Sequence, residues 1–169
     1  MIRILKQIFH TGIVTEPLAP IIDPEIEKIG AQLEEAIRRR FQRSLTIRQV
    51  DAGSCNGCEL EIHAINNSLY NCERFGIHFT ASPRFADMLL VTGPVSHNME
   101  IALKRTYQAT PTPKIVVAVG DCGCTGGIFG KSYASLGGID QIIPVDVRIP
   151  GCPPTPTVLM QGILKAVGG

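Results

Sequence analysis

The sequence predicts an α/β domain built on a mostly parallel sheet, and three observations carry that prediction. Strand-like and helical segments alternate from Leu45 onward. One of the strand-like segments, Lys114–Val119, is a short apolar run suited to a central, buried strand. The length, 169 residues, is enough for one core and too little for two comfortable ones.

The elements follow in order. Residues 1–44 differ from the rest and form an extended N-terminal segment with a helix; residues 45–169 form the α/β domain. Met1–Gln7 starts an amphipathic helix, Pro17, Pro20 and Pro24 break the chain, and Asp23-Pro24-Glu25 opens a second helix with acidic residues in its first turn. That helix runs to Arg43, with Ile26, Ile29, Leu33, Ile37 and Phe41 at helical spacing and Arg38, Arg39, Arg40 and Arg43 near its end. The Arg run is either a solvated helix end that suits the dipole or an anchor on headgroups or an acidic partner. Such a segment is expected to add little to the core and to lie along a neighbour. Strands follow at Leu45–Val50, Ile77–Thr80, Met88–Thr92, Lys114–Val119 and Gln141–Val147, and helices at Glu59–Leu69, Asn98–Gln108 and Thr155–Val167.

Composition excludes several classes. Sixteen basic against fifteen acidic residues give a net charge of +1, which supplies no global field for nucleic acid, and the aromatic share of 5% without Trp argues against base stacking. Charged residues make up only 18%, below the ~25% of an average domain, which suggests surface covered by partner subunits. The 17 Gly and 12 Pro make much of the chain shaped loop. No apolar run approaches the ~18 residues of a membrane span, and the N-terminus lacks the apolar stretch of an export signal, so a cytoplasmic location is expected.

Five of the six Cys follow strands directly. DAGSCNGCELE places Cys55 and Cys58, GDCGCTGG places Cys122 and Cys124, and RIPGCPP places Cys152, all at one edge of the expected sheet. Thiolates from separate loops converging on one point suit a soft metal, and the neighbouring Gly residues give a bulky inorganic body room. Cys55, Cys58, Cys122 and Cys152 are the candidate ligands of a 4Fe-4S cluster, with Cys124 as their neighbour. Two alternatives stand beside it. C-x-x-C at a helix start also describes a thiol–disulfide oxidoreductase, which leaves the other loops without a task. A structural zinc site uses four thiolates but needs less room. Cys72 is expected to be a small buried residue. Glu59 and His63, one turn apart, are expected to be surface helix polarity, a proton route being the sharper alternative. His97 belongs to a helix start or a partner contact, and Arg84 to an interface.

CNGCE, GDCGCTGG and IPGCPPTP together resemble the small subunit of NiFe hydrogenases, specifically the membrane-bound, energy-converting branch that includes formate hydrogenlyase and is related to complex I. The resemblance covers about Leu45–Val167. It implies a flavodoxin-like, three-layer domain holding one 4Fe-4S cluster on Cys55, Cys58, Cys122 and Cys152, with Cys124 outside the pattern. It also implies an oxidoreductase complex whose catalytic nickel and iron sit in a separate large subunit. The implied partners are that NiFe large subunit, a ferredoxin-like iron-sulfur subunit and integral membrane subunits, with this chain peripheral on the cytoplasmic side of the inner membrane. The runner-up is the complex I subunit that delivers electrons to quinone, whose first two cysteines are adjacent; here Asn56 and Gly57 separate them. A third possibility is an assembly module with a structural cluster.

Overall fold

Alternating apolar residues decide the layers. A computed structural model describes residues 2–12 and 23–168; among these, strands β1 (Leu45–Asp51), β2 (Ile77–Phe79), β3 (Met88–Thr92), β4 (Ile115–Val119) and β5 (Val147–Ile149) form one sheet in the order β2-β1-β3-β4-β5. Every pairing is parallel, for instance Val50 beside Val91 and Val91 beside Ala118. This is the flavodoxin-like strand order, and its switch point lies between β1 and β3.

Helices cover both faces. Leu45, Ile47, Met88, Leu90, Val117 and Val119 pack beneath α2 (Pro24–Phe41), α3 (Gly57–Ile65) and α6 (Pro156–Gly168). On the other face, Val50, Leu89, Val91, Val116 and Ala118 pack with Leu103 of α4 (His97–Ala109), Cys124 of α5 (Gly120–Thr125), Ile139 and Ile143. β3 and β4 are buried along their whole length, as central strands of a parallel sheet should be. The expected three-layer α/β fold is thus the one observed.

α2 departs from expectation. Asp23 caps it by accepting a 2.9 Å hydrogen bond from the Glu25 N–H, Pro24 opens the first turn, and Gln42 closes it in the left-handed region with its N–H donating to the Arg38 carbonyl. Its Ile26, Ile29, Leu33 and Ile37 are buried in the main core, each worth about 2 kcal/mol of burial. The idea that residues 1–43 add little to the core is therefore corrected for α2. The Arg run is bound within the chain as well. Arg38 and Arg39 pair with Glu34 and Glu35 one turn back, Arg43 with Asp87, and Arg40 donates to the carbonyls of Ala166 and Val167 at the end of α6. The Arg run is thus paired within its own fold, with Arg38 and Arg39 still exposed.

α1 (Ile2–Thr11) is one turn longer than the sequence suggests, and Pro17 and Pro20 lie outside the described residues. The strand expected over Gln141–Val147 is displaced to Val147–Ile149. Pro144 has no N–H and a fixed φ, so Ile139–Gln141 form a short 3-10 turn, Ile142–Ile143 follow without strand structure, and pairing starts after Asp146. GDCGCT, expected as loop, winds into α5.

Candidate metal centre

Each strand of the site ends in a device that turns the chain at once. After β1, the Asp51 carboxylate accepts hydrogen bonds from the Gly53 and Ser54 N–H groups at 2.7 and 2.8 Å, folding the exit over the switch point. Asn56 then adopts a left-handed conformation at φ 71° and starts α3, so Cys55 precedes the helix while Cys58 sits in its first turn. β4 leads into α5 and Cys122. The Asp121 N–H donates to the Gly151 carbonyl, and the Asp121 carboxylate accepts from the Gly151 N–H, both at 2.8 Å. That reciprocal pair clamps the Cys122 loop to the Cys152 loop.

Two glycines make the space between thiols. A Cβ on Gly120 would stand 2.6 Å from the Cys58 Sγ, and one on Gly127 would stand 2.7 Å from the Cys122 Sγ, both far inside contact distance. Both residues also have positive φ, 78° and 54°, which a side chain would strain. Any other residue at either position would push a thiol out of place.

Two of the four candidate thiols are raised by burial and by their neighbours. Burial pushes the Cys58 thiol up to about 12, and the neighbouring Glu59, Cys122, Cys55 and Cys152 push in the same direction. Cys122 is raised too, by burial and then by Cys152, Cys55 and Asp121. Among the described residues no group of three or more His, Cys, Asp or Glu side chains is gathered to hold a single metal ion. Cys58 is acted on by the other three candidate thiols, and Cys122 by Cys152 and Cys55. Cys55 and Cys152 are exposed, Cys122 is half-buried and Cys58 is buried.

The other two cysteines stand apart. Cys124 is buried against the sheet, its thiol directed at the carbonyls of Ala118 and Ile149, each at 3.7 Å. Cys72 is fully buried in the main core, as expected, and burial followed by the Glu73 charge pushes its thiol up to about 11.

Glu59 corrects an expectation. It is 5% exposed, and neither carboxylate oxygen has a hydrogen-bond partner, so it is not surface polarity. His63, one turn on, is exposed and lines a cleft of about 310 Å³ with Arg48, Gln49, Asn66 and Thr80. His97 is the first residue of α4 and its N–H donates to the Ala134 carbonyl. Arg84 lies at the opposite end of the sheet, in a cleft of about 610 Å³ that includes Thr46, Asp87 and Thr112.

Sequence reasoning missed three things here: the Asp121 clamp, the burial of Glu59, and an apolar rim. Ile128 and Tyr133 are 92% and 97% exposed, and with Phe129 they border a cleft of about 560 Å³ that reaches Cys55. The segment IFGKSY carried the signal, since three large apolar residues in a glycine-rich loop have no periodicity that would bury them.

Residues 55–166 match the family described as NADH ubiquinone oxidoreductase, 20 Kd subunit, and the chain belongs to that family. It is 44% identical over 152 residues to formate hydrogenlyase subunit 7 of Escherichia coli, a match covering 90% of this chain and 58% of that protein. It is 45% identical over 142 residues to the probable membrane-bound hydrogenase subunit mbhJ of Pyrococcus furiosus, covering 84% of this chain and 83% of that one. Among solved structures it matches a chain of the membrane-bound sulfane sulfur reductase, an archaeal respiratory membrane complex, with TM-score 0.66 and 35% identity over 80% of this chain and 76% of that one. The resemblance drawn from the three cysteine motifs is borne out. The chain spans little more than half the length of the formate hydrogenlyase subunit.

Proposed function

We propose that this chain is the electron-transfer subunit of a membrane-bound hydrogenase complex and holds one 4Fe-4S cluster on Cys55, Cys58, Cys122 and Cys152. The observation that carries this reading is the gathering of the four thiols at the carboxyl end of the sheet, where the other three act on Cys58, and Gly120 and Gly127 clear the space beside two of them. Thiols brought together from separate loops at one end of a sheet suit a cluster bound by four cysteines. When bound, the cluster supplies one-electron transfer.

The chain's own residues supply the rest. α3 and α5 hold Cys58 and Cys122 on rigid turns, the Asp121–Gly151 pair fixes the spacing to Cys152, and the buried Glu59 carboxylate puts negative charge beside the site. The rim of Ile128, Phe129 and Tyr133 is a face for the large subunit, where burial excludes water from the exposed Cys55. On this reading the large subunit carries the NiFe centre, a ferredoxin-like subunit is the other electron partner, and integral membrane subunits hold the complex. The chain's place is peripheral, on the cytoplasmic side; among the described residues no helix is long and apolar enough to cross a membrane. Asn56 and Gly57, which form the turn between Cys55 and Cys58, favour the hydrogenase type over the complex I type with adjacent cysteines.

Iron and acid-labile sulfide analysis, with electron paramagnetic resonance after reduction, tests the assignment. The expected result is about four iron per chain, lost in Ser variants of the four ligands and kept in Cys72→Ser and Cys124→Ser. Stoichiometric zinc without iron overturns the cluster, and loss of iron in Cys124→Ser equal to that in Cys122→Ser overturns the choice of ligand.

A further inference from the structure

α1 is divided lengthwise into two halves. At about 100° per residue, Ile2, Ile4, Leu5, Ile8 and Phe9 fill one half of the circumference, and Arg3, Lys6, His10, Gln7 and Thr11 fill the other. Every residue is exposed, Phe9 at 85%, and the helix contains no acidic residue. We propose that α1 lies in the surface of an anionic lipid bilayer, its apolar half among the acyl chains and Arg3 and Lys6 at the headgroups.

Charge and shape select the occupant. In α2 the basic residues are matched by the chain's own Glu34, Glu35 and Asp87. In α1 nothing on the helix matches Arg3 and Lys6, so an anionic surface is the complement. A partner's groove would take such an apolar face too, but the two cations in the remaining half and the absence of any acidic residue favour an anionic plane. An apolar face of this kind is otherwise open to water, a cost that insertion to headgroup depth removes.

The inference extends the proposed peripheral placement, but its test does not depend on the cluster. The purified full chain is sedimented with vesicles of phosphatidylcholine alone and of phosphatidylcholine mixed with phosphatidylglycerol. The expected result is binding to the mixed vesicles that falls at least about tenfold in Arg3→Glu/Lys6→Glu and in Leu5→Asp/Phe9→Asp. Ile101→Asp, on the exposed face of α4, should bind like the parent, and so should Cys122→Ser, which separates this result from failure of the cluster assignment. Absence of vesicle binding, equal binding to neutral vesicles, or binding unchanged in Leu5→Asp/Phe9→Asp overturns the proposal. So does retention of the chain only by detergent-solubilised membrane proteins, which assigns the face to a protein. All the substituted α1 side chains are exposed, so the core stays intact in these variants.

Discussion

The two ends of the sheet carry clefts of similar size and opposite character. At the amino ends of the strands, a cleft of about 610 Å³ is bordered by groups that bind one another: Arg43 grips both oxygens of Asp87, and Asp87 also accepts the Thr46 N–H. At the carboxyl ends, the cleft of about 560 Å³ reaches Cys55 beside the other three candidate thiols, of which Cys58 and Cys122 are raised, near a buried carboxylate without a partner and exposed Ile128, Phe129 and Tyr133. Cavity volume does not separate the two. Buried polar groups do: at the amino end Asp87 is matched by Arg43 and the Thr46 N–H, although Phe85 is exposed there, whereas at the carboxyl end the buried Glu59 carboxylate has no partner.

The largest expected contrast lies in thiol chemistry. The thiolate is the nucleophile, and a pKa raised to about 12 lowers its share at pH 8. Against an ordinary thiol near 8.5, the thiolate fraction of Cys58 falls by about three orders of magnitude, part of which the greater nucleophilicity of a more basic thiolate returns. In the cluster-free chain, iodoacetamide should therefore modify Cys58 about fiftyfold or more slowly than an ordinary thiol, and its rate should climb with pH up to about 12. Peptide mass spectrometry of a timed alkylation reads both. Modification of Cys58 as fast as the exposed Cys55 would mean that the carboxyl end is not the coupled, partly closed site described here.

Much of this contrast was legible in the sequence, and what was not has physical reasons. The central strands were legible because Met88–Thr92 and Lys114–Val119 are apolar without interruption, and the cysteine edge because Cys55, Cys122 and Cys152 each follow a strand within a few residues. β5 was misplaced because Ile142 and Ile143 look like strand residues but are followed by Pro144, and they pack from irregular backbone instead. Glu59 was read as surface because a carboxylate in the first turn of a helix is usually solvated; its burial arises from tertiary packing around Cys58, which no local pattern encodes. α2 and α1 show the same limit. Both present apolar residues at helical spacing, yet one is core and the other bare, and the difference lies in tertiary packing, because α2 lies against α6 and the main core whereas α1 has no buried residue.

A second, smaller contrast concerns stability. Asp87 joins the end of α2 to the starts of three strands: its carboxylate takes Arg43 at 2.7 and 3.1 Å and the Thr46 N–H at 3.0 Å, while its backbone bonds to Thr46 and Ile115. Asp87→Ala leaves a part-buried N–H and a guanidinium without acceptors, and it should cost about 2 kcal/mol in urea unfolding. Iron per folded chain should not change, because nothing at the carboxyl end touches Asp87. A matching loss of iron in the folded fraction would break the separation of the two ends.

The smallest effect sharpens the comparison most. Arg84 borders the same cleft as Arg43 and Asp87, is exposed, and has no hydrogen bond or ion pair among the described contacts of the structure. If the amino end is complete in itself, Arg84→Ala should change stability by less than about 0.5 kcal/mol and leave both iron content and the Cys58 alkylation rate as they were. An exposed side chain without a partner contributes little to the folded state, and the expected silence follows from that alone. The same variant in the assembled complex measures whether a neighbouring subunit uses this end. Loss of assembly with the isolated chain unaffected would place a protein contact on Arg84, and the amino end would then be complete only for folding.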